Sequence, residues 1–395
     1  MLPVKNLGCA PPLCALLLLV AGALAGADGA AGKPEPQRFS VRLADSVLAR
    51  WPDPTTISGK GWEYTDGIVL RGVGEVYRRT GDPRYLAYIK RWVDSFLEEG
   101  GGINLGGDSN NLDRVQPGVL LLLLYEETRE PRYKLAADWL RRRLEAFPRN
   151  AEGGFWHKQK YPNEMWLDGI YMAEPFLVEY GRLWGDCDSC YDTAVQQATL
   201  VAEHTRDAST GLLRHAWDQD RNAAWADPRS GVSPQVWGRA MGWYAMALID
   251  ILEALPPSHP GRARLQSLLR ETARGIRATQ DRGTGLWYQV LDQGDRSDNW
   301  LETSASGMFV YALKAGVDRG HLDKSFLEVA RRGWQGVLSR VSEDAVGRPV
   351  VDGAVEGMGV QASLAGYLGK KRLSDSPHGL CAVLLAASRM EGPGR

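Results

Sequence analysis

Cysteine is rare in this chain, with 5 among 395 residues, and phenylalanine is scarce, with 7. So few thiols over this length give no disulfide scaffold, and a hydrophobic core must hold the fold. Neither sign of charge is in excess, since 47 Lys and Arg face 48 Asp and Glu. That balance excludes the basic footprint of a nucleic-acid binder and gives no reason to expect a membrane surface as partner. No Asn-X-Ser/Thr glycosylation acceptor occurs. A glycine-rich phosphate loop, a Ser-His-Asp arrangement and a cluster with metal-ligand spacing are missing too. Acid–base chemistry without metal or cofactor is what remains.

One long apolar run does occur, from Leu13 to Leu24, behind Lys5 and ahead of Ala23-Leu24-Ala25. Its length and flanks read as a secretory signal peptide over residues 1–25, followed by a linker over 26–36. It is too short and too soon interrupted by glycine for a membrane span. The expected location is therefore secreted or periplasmic, with no membrane attachment once the signal is removed. Cys187-Asp-Ser-Cys190 has the spacing of a redox pair or half a zinc site, but no second half completes a metal set. In an oxidising compartment a local Cys187–Cys190 disulfide is the better expectation.

Tryptophan, by contrast, is plentiful at 14 residues. Its flat apolar face with a single donor suits sugar rings as well as cores. Helical periodicity dominates the rest of the chain, and strand-like alternation is nearly absent. Twelve helices are predicted, at about 38–50, 65–79, 82–98, 112–128, 131–147, 168–183, 189–205, 237–255, 261–280, 302–315, 322–340 and 377–391. Their connections alternate between short links and long loops rich in Gly, Trp, Asp and Asn. Short links make antiparallel neighbours, so the long loops all emerge at one end. Gly153-Gly-Phe-Trp156, Thr210-Gly-Leu-Leu213 and Thr284-Gly-Leu-Trp287 repeat a local pattern within those loops, as a repeated unit would. The expectation is an all-α fold, an (α/α)6 barrel of six helical hairpins forming a single domain over 37–395. Even-numbered helices would make the inner wall and point their N-termini into a loop-covered mouth.

Asp168 stands where an aromatic loop, with Tyr161 and Trp166, turns into the sixth helix. Ring-lined surroundings oppose ionisation and the helix dipole favours it, so an acid held between them is a candidate for proton transfer. The plainer alternative is an N-cap aspartate. Asp113 opens the fourth helix, Arg239 and Trp243 the eighth, and Glu302 the tenth. His157, His215, Trp217, Trp225 and Trp287 lie in loops feeding the same opening. Arg239 has the forked donors to grip a carboxylate, or it pairs with a mouth carboxylate. Trp243 either carries a sugar face or packs in the core. His215 either orients an acid and a substrate oxygen or is satisfied by backbone, while His157 and His378 read as structural.

Trp156-His-Lys158, Met165-Trp-Leu-Asp-Gly-Ile-Tyr-Met172, Glu174-Pro-Phe176, His215-Ala-Trp-Asp218, Trp237-Gly-Arg-Ala-Met-Gly-Trp243 and Leu301-Glu-Thr-Ser-Ala-Ser306 resemble glycoside hydrolase family 105. These are unsaturated rhamnogalacturonyl hydrolases, relatives of the family 88 unsaturated glucuronyl hydrolases. The similarity runs in order from Trp62 to His378. It implies an (α/α)6 barrel acting on lyase-generated oligosaccharides that end in a 4,5-unsaturated uronic acid, here an unsaturated galacturonate. It also implies Asp168 as the proton donor to the vinyl ether and Asp113 as the second acid. His215, Arg239 and Trp243, with Trp166, Trp217, Tyr64 and His378, are the implied substrate-binding set. No cofactor or metal is implied, and the expected state is a monomer. Gly359 to Arg372 keeps only Tyr367 of the family's pattern, so leaving-group preference is where this chain departs. Competing readings are a glucuronyl hydrolase acting on ulvan or glycosaminoglycan fragments, a sugar epimerase using paired histidines, and a non-catalytic carbohydrate-binding barrel.

Overall fold

Apolar stripes that recur every three to four residues draw the chain into helices wherever the loops leave room. The computed structural model describes residues 38–107, 110–185 and 187–392, so the expected signal peptide and linker lie outside the described residues. Thirteen α-helices occur among the described residues. They are α1 (Phe39–Arg50), α2 (Tyr64–Thr80), α3 (Pro83–Asp94), α4 (Gly118–Thr128), α5 (Pro131–Glu145), α6 (Leu167–Trp184), α7 (Asp188–Thr205), α8 (Gly238–Ala254), α9 (Arg262–Ala278), α10 (Thr303–Asp318), α11 (Phe326–Leu338), α12 (Leu364–Leu368) and α13 (Pro377–Met390).

Helices α2, α4, α6, α8, α10 and α13 touch in succession, and α13 returns to α2 to close the ring. The remaining long helices pack outside them. This is the expected (α/α)6 barrel, in which an inner helix is covered on all sides. Every residue of α8 from Gly238 to Leu252 is accordingly buried, as is the run Leu120 to Leu124 of α4. From Arg38 onward the chain clusters as one unit. No helix among the described residues is long and apolar enough to cross a membrane.

The repeated loop pattern is a repeated turn. Asn150, Asp207 and Asp281 each begin one, accepting the amide of Gly153, Gly211 and Gly285 respectively. Those glycines sit at φ of 86°, 72° and 77°, a left-handed region that only glycine enters freely. A side chain on Gly285 would also press on the Arg332 carbonyl, 2.4 Å from its Cβ.

Two expectations are corrected. The fourth helix does not run from 112, because Pro117 marks its start and Leu112–Arg114 form a separate 3-10 turn. Asp113 therefore lies on that turn, where Asn111 Oδ1 accepts its amide. Three two-stranded antiparallel sheets also escape the sequence pattern. They pair β1 (Glu164–Trp166) with β2 (Ala216–Asp218), β3 (Val341–Glu343) with β4 (Pro349–Val351), and β5 (Ala354–Val355) with β6 (Arg372–Leu373). Two or three residues are too few to display a period of two.

Deep in the barrel polar side chains bridge the inner helices. Arg71 donates to Asp250 at 2.7 Å and to the Tyr171 hydroxyl at 2.5 Å, and Tyr311 donates to Asp250 at 2.8 Å. Above them the Tyr171 ring meets Trp243 at 4.8 Å. This largely buried charge pair, with its two tyrosine hydroxyls, forms the floor of the barrel.

Candidate active site

Over that floor, at the N-terminal end of the inner ring, lies a cavity of about 600 Å³. Tyr64 opens α2, Asp168 opens α6 and His378 opens α13, and all three line it. Trp166, Asp113 and Lys158 complete the chemically active part of the wall.

Asp168 is the second residue of α6, and its side chain is 13% exposed. Trp166 holds the cap position, without a side-chain cap bond. Among the described residues the polar partner of the Asp168 carboxylate is His215, whose Nε2 stands 3.1 Å from Oδ2. The capping alternative for Asp168 thus fails. His215 is fully buried, and its Nδ1 lies 2.7 Å from the Tyr367 hydroxyl. Burial pushes the Tyr367 hydroxyl well up, so it keeps its hydrogen, and its oxygen accepts from the Gln361 amide. With that hydroxyl donating to Nδ1, the imidazole carries its hydrogen on Nε2 and points it at Asp168.

Trp166 forms the aromatic wall. Its ring stacks on His157 at 4.2 Å and on Tyr161 at 4.9 Å, and it meets His215 edge-on at 5.7 Å. The indole Nε1 donates to Glu164 at 2.8 Å. Burial raises the Glu164 carboxyl to about 7, the Trp166 donor pulls it down, and Asp218 opposite it in the strand pair adds to the rise. The ordinary value is 4.5, so the folded chain holds a proton that the unfolded chain has lost. That contribution to stability is complete below the ordinary value and is lost as pH rises through about 7. Glu164→Gln stays neutral at every pH and keeps an acceptor for the indole. Thermal melts at about pH 5 and about pH 8 should show the native chain losing roughly 1–3 kcal/mol more than the variant across that range. Equal losses would mean that Glu164 does not titrate there.

Asp113 is buried and takes an ion pair from Lys158, while His157 Nε2 stands 3.6 Å from its other oxygen. Burial opposes the Lys158 charge, but the Asp113 carboxylate outweighs it and raises the ammonium. His157 and His378 are both held well below the ordinary histidine value, chiefly by burial. His378 Nε2 meets the Tyr64 hydroxyl at 2.9 Å.

Three expected binding residues are placed elsewhere. Trp243 is buried in the core between Tyr171 and His378 rather than facing the cavity. Trp217 pairs with Met165 across the strands, on the opposite face from Trp166, and lies flat on His204 at 3.5 Å. Arg239 is buried, and its two terminal nitrogens donate to the carbonyls of Val355 and Glu356, while its Nε has no hydrogen-bond partner. Glu302, expected at the mouth, caps α10 and also accepts the Val355 amide. Arg239 and Glu302 together grip the peptide around Val355 from both sides, which fixes the next residues, Gly357 to Gly359, against the cavity. Trp287 is likewise core, donating to the Ile276 carbonyl.

Sequence reasoning singled out neither Lys158 nor Glu63 as a site residue. Lys158 adjoined a motif already noticed, whereas nothing local signals Glu63, which lines the cavity and pairs with Arg114 at 3.2 Å. The Cys187 and Cys190 sulfurs are bonded, with Cα atoms 5.2 Å apart, where α7 begins. Among the described residues no group of three or more His, Cys, Asp or Glu is arranged to hold a metal.

Comparison with known proteins places this geometry in context. The family described as Glycosyl Hydrolase Family 88 matches residues 39–392. A solved glycoside hydrolase of family 105 from C. acetobutylicum superposes with a TM-score of 0.85 at 36% identity, over 90% of this chain and 99% of that one. The unsaturated rhamnogalacturonyl hydrolase YesR of Bacillus subtilis is 28% identical over 356 residues, covering 88% of this chain and 95% of that protein. Protein Atu3128 of Agrobacterium fabrum is 39% identical over 206 residues, 51% of this chain and 85% of its own.

Proposed function

Given that the chain belongs to glycosyl hydrolase family 88, we propose that it releases a 4,5-unsaturated uronic acid from the non-reducing end of lyase-generated oligosaccharides. The preferred substrate is an unsaturated galacturonate on a rhamnogalacturonan fragment, in line with the unsaturated rhamnogalacturonyl hydrolase YesR. The observation that carries this is Asp168, a carboxyl at the cavity wall held by a fully buried histidine at 3.1 Å beside a stacked indole.

In this reading Asp168 gives its proton to C4 of the vinyl ether, and positive charge develops at C5 and the ring oxygen. Water adds at C5 and returns a proton to Asp168. The resulting hemiketal opens, and the C1 hemiacetal expels the next sugar. His215 steers the carboxyl through the Nε2 hydrogen, and Tyr367 fixes the imidazole. Asp113, paired with Lys158, supports the charge that develops across the cavity. Trp166 and Tyr161, stacked on one another at the cavity wall, offer the sugar an apolar surface. The apolar run from Leu13 to Leu24 behind Lys5 supports export, and so work outside the cytoplasm on lyase-generated fragments.

Incubation with a rhamnogalacturonan lyase digest tests the reading. Absorbance of the conjugated double bond should fall, and in heavy water the product should carry deuterium at C4. A chromophore that persists with the native chain sinks the proposal.

A further inference from the structure

A uronate brings a carboxylate into a cavity that already holds the carboxyls of Asp168, Asp113 and Glu63. An anion seated there without a cationic partner is costly. Arg239, the sequence-level candidate for that partner, is buried behind the cavity wall, with its two terminal nitrogens donating to the Val355 and Glu356 carbonyls and its Nε without a hydrogen-bond partner. Lys158 is committed to Asp113, and burial keeps His157 and His378 neutral. One cation of the cavity wall remains, Lys60, which is exposed on the loop leading into α2. Its ammonium has no carboxylate partner among the described residues, and its charge adds to that of Arg239 at His378, the partner of Tyr64.

We infer that Lys60 is the residue that pairs with the carboxylate of the substrate, and so selects acidic over neutral sugars at this site. The inference rests on the proposed activity and adds the group that recognises its charge. Gly59 and Gly61 flank it, both at positive φ (69° and 80°), a left-handed conformation that glycine adopts without strain. Two sources of carboxylate fit, the unsaturated uronate itself or an acidic residue in the leaving chain. The lysine acts on binding, so its signature is in KM and not in kcat.

The test compares the native chain with Lys60→Met and Lys60→Arg on three substrates. These are an unsaturated galacturonyl-rhamnose disaccharide, its methyl ester, and a longer fragment with further galacturonates. Lys60→Met should raise KM on the free-acid disaccharide by about tenfold with kcat kept, and Lys60→Arg should restore most of it. The methyl ester should bind native chain and Lys60→Met alike. A rise in KM confined to the longer fragment supports the pairing and assigns the carboxylate to the leaving chain. Unchanged KM on all three overturns the inference, while a native chain that leaves the double bond intact overturns the proposed activity instead.

Discussion

Asp168→Asn is expected to stop loss of the unsaturated chromophore, lowering kcat by about a thousandfold. Asparagine has nearly the shape of aspartate, and its carbonyl oxygen still accepts the His215 Nε2 hydrogen. Helix α6 keeps its start, because Trp166 and not Asp168 occupies the cap. The variant should therefore melt with the native chain and still bind substrate, while having no proton to give to C4. Steady-state rates on the lyase digest, with melting curves alongside, decide the matter. A variant that folds and turns over near the native rate would remove Asp168 from the chemistry.

The second large effect concerns stability. Trp243→Ala should destabilise the fold by about 3–5 kcal/mol, the range for deleting a fully buried large ring. The indole fills the barrel between Tyr171 and His378, 4.8 Å and 6.3 Å from their rings. Its loss opens a void directly over the Arg71–Asp250 pair. Trp243→Phe should recover much of the stability with KM unchanged, since no indole face meets the substrate. If Trp243→Ala instead melts like the native chain and raises KM, the residue is a sugar platform after all. Chemical denaturation and KM measured on the same preparations separate the two.

The sequence carried the helical frame well, because twelve amphipathic or fully apolar segments of ordinary length leave little ambiguity. Loop alternation was enough to gather Asp113, Asp168 and His157 at one end, whereas Tyr64 and His378 joined the binding set only through the family resemblance. What it could not carry was the direction of each side chain. Arg239 and Trp243 sit a turn apart on α8, a spacing equally suited to a binding face or a buried one. Only the ring of neighbours decides, by covering α8 on every side. Trp217 was misjudged for the complementary reason: strand pairing turns alternate residues to opposite faces, and a three-residue strand gives no warning. The contact of His215 with Tyr367 joins residues 152 apart in sequence, which no local pattern reports. The Pro117 helix start was legible, since proline favours the first turn, yet the apolar periodicity on both sides concealed it.

A floor beneath the catalytic cavity has a consequence for how a polymer is consumed. No strand of polysaccharide can be threaded through a well stopped by Arg71, Asp250 and Tyr311, so only a chain end reaches Asp168. Each turnover must begin with a fresh encounter, and the supply of termini, not polymer mass, sets the flux. Whatever upstream cutter makes more breaks thereby feeds this barrel faster.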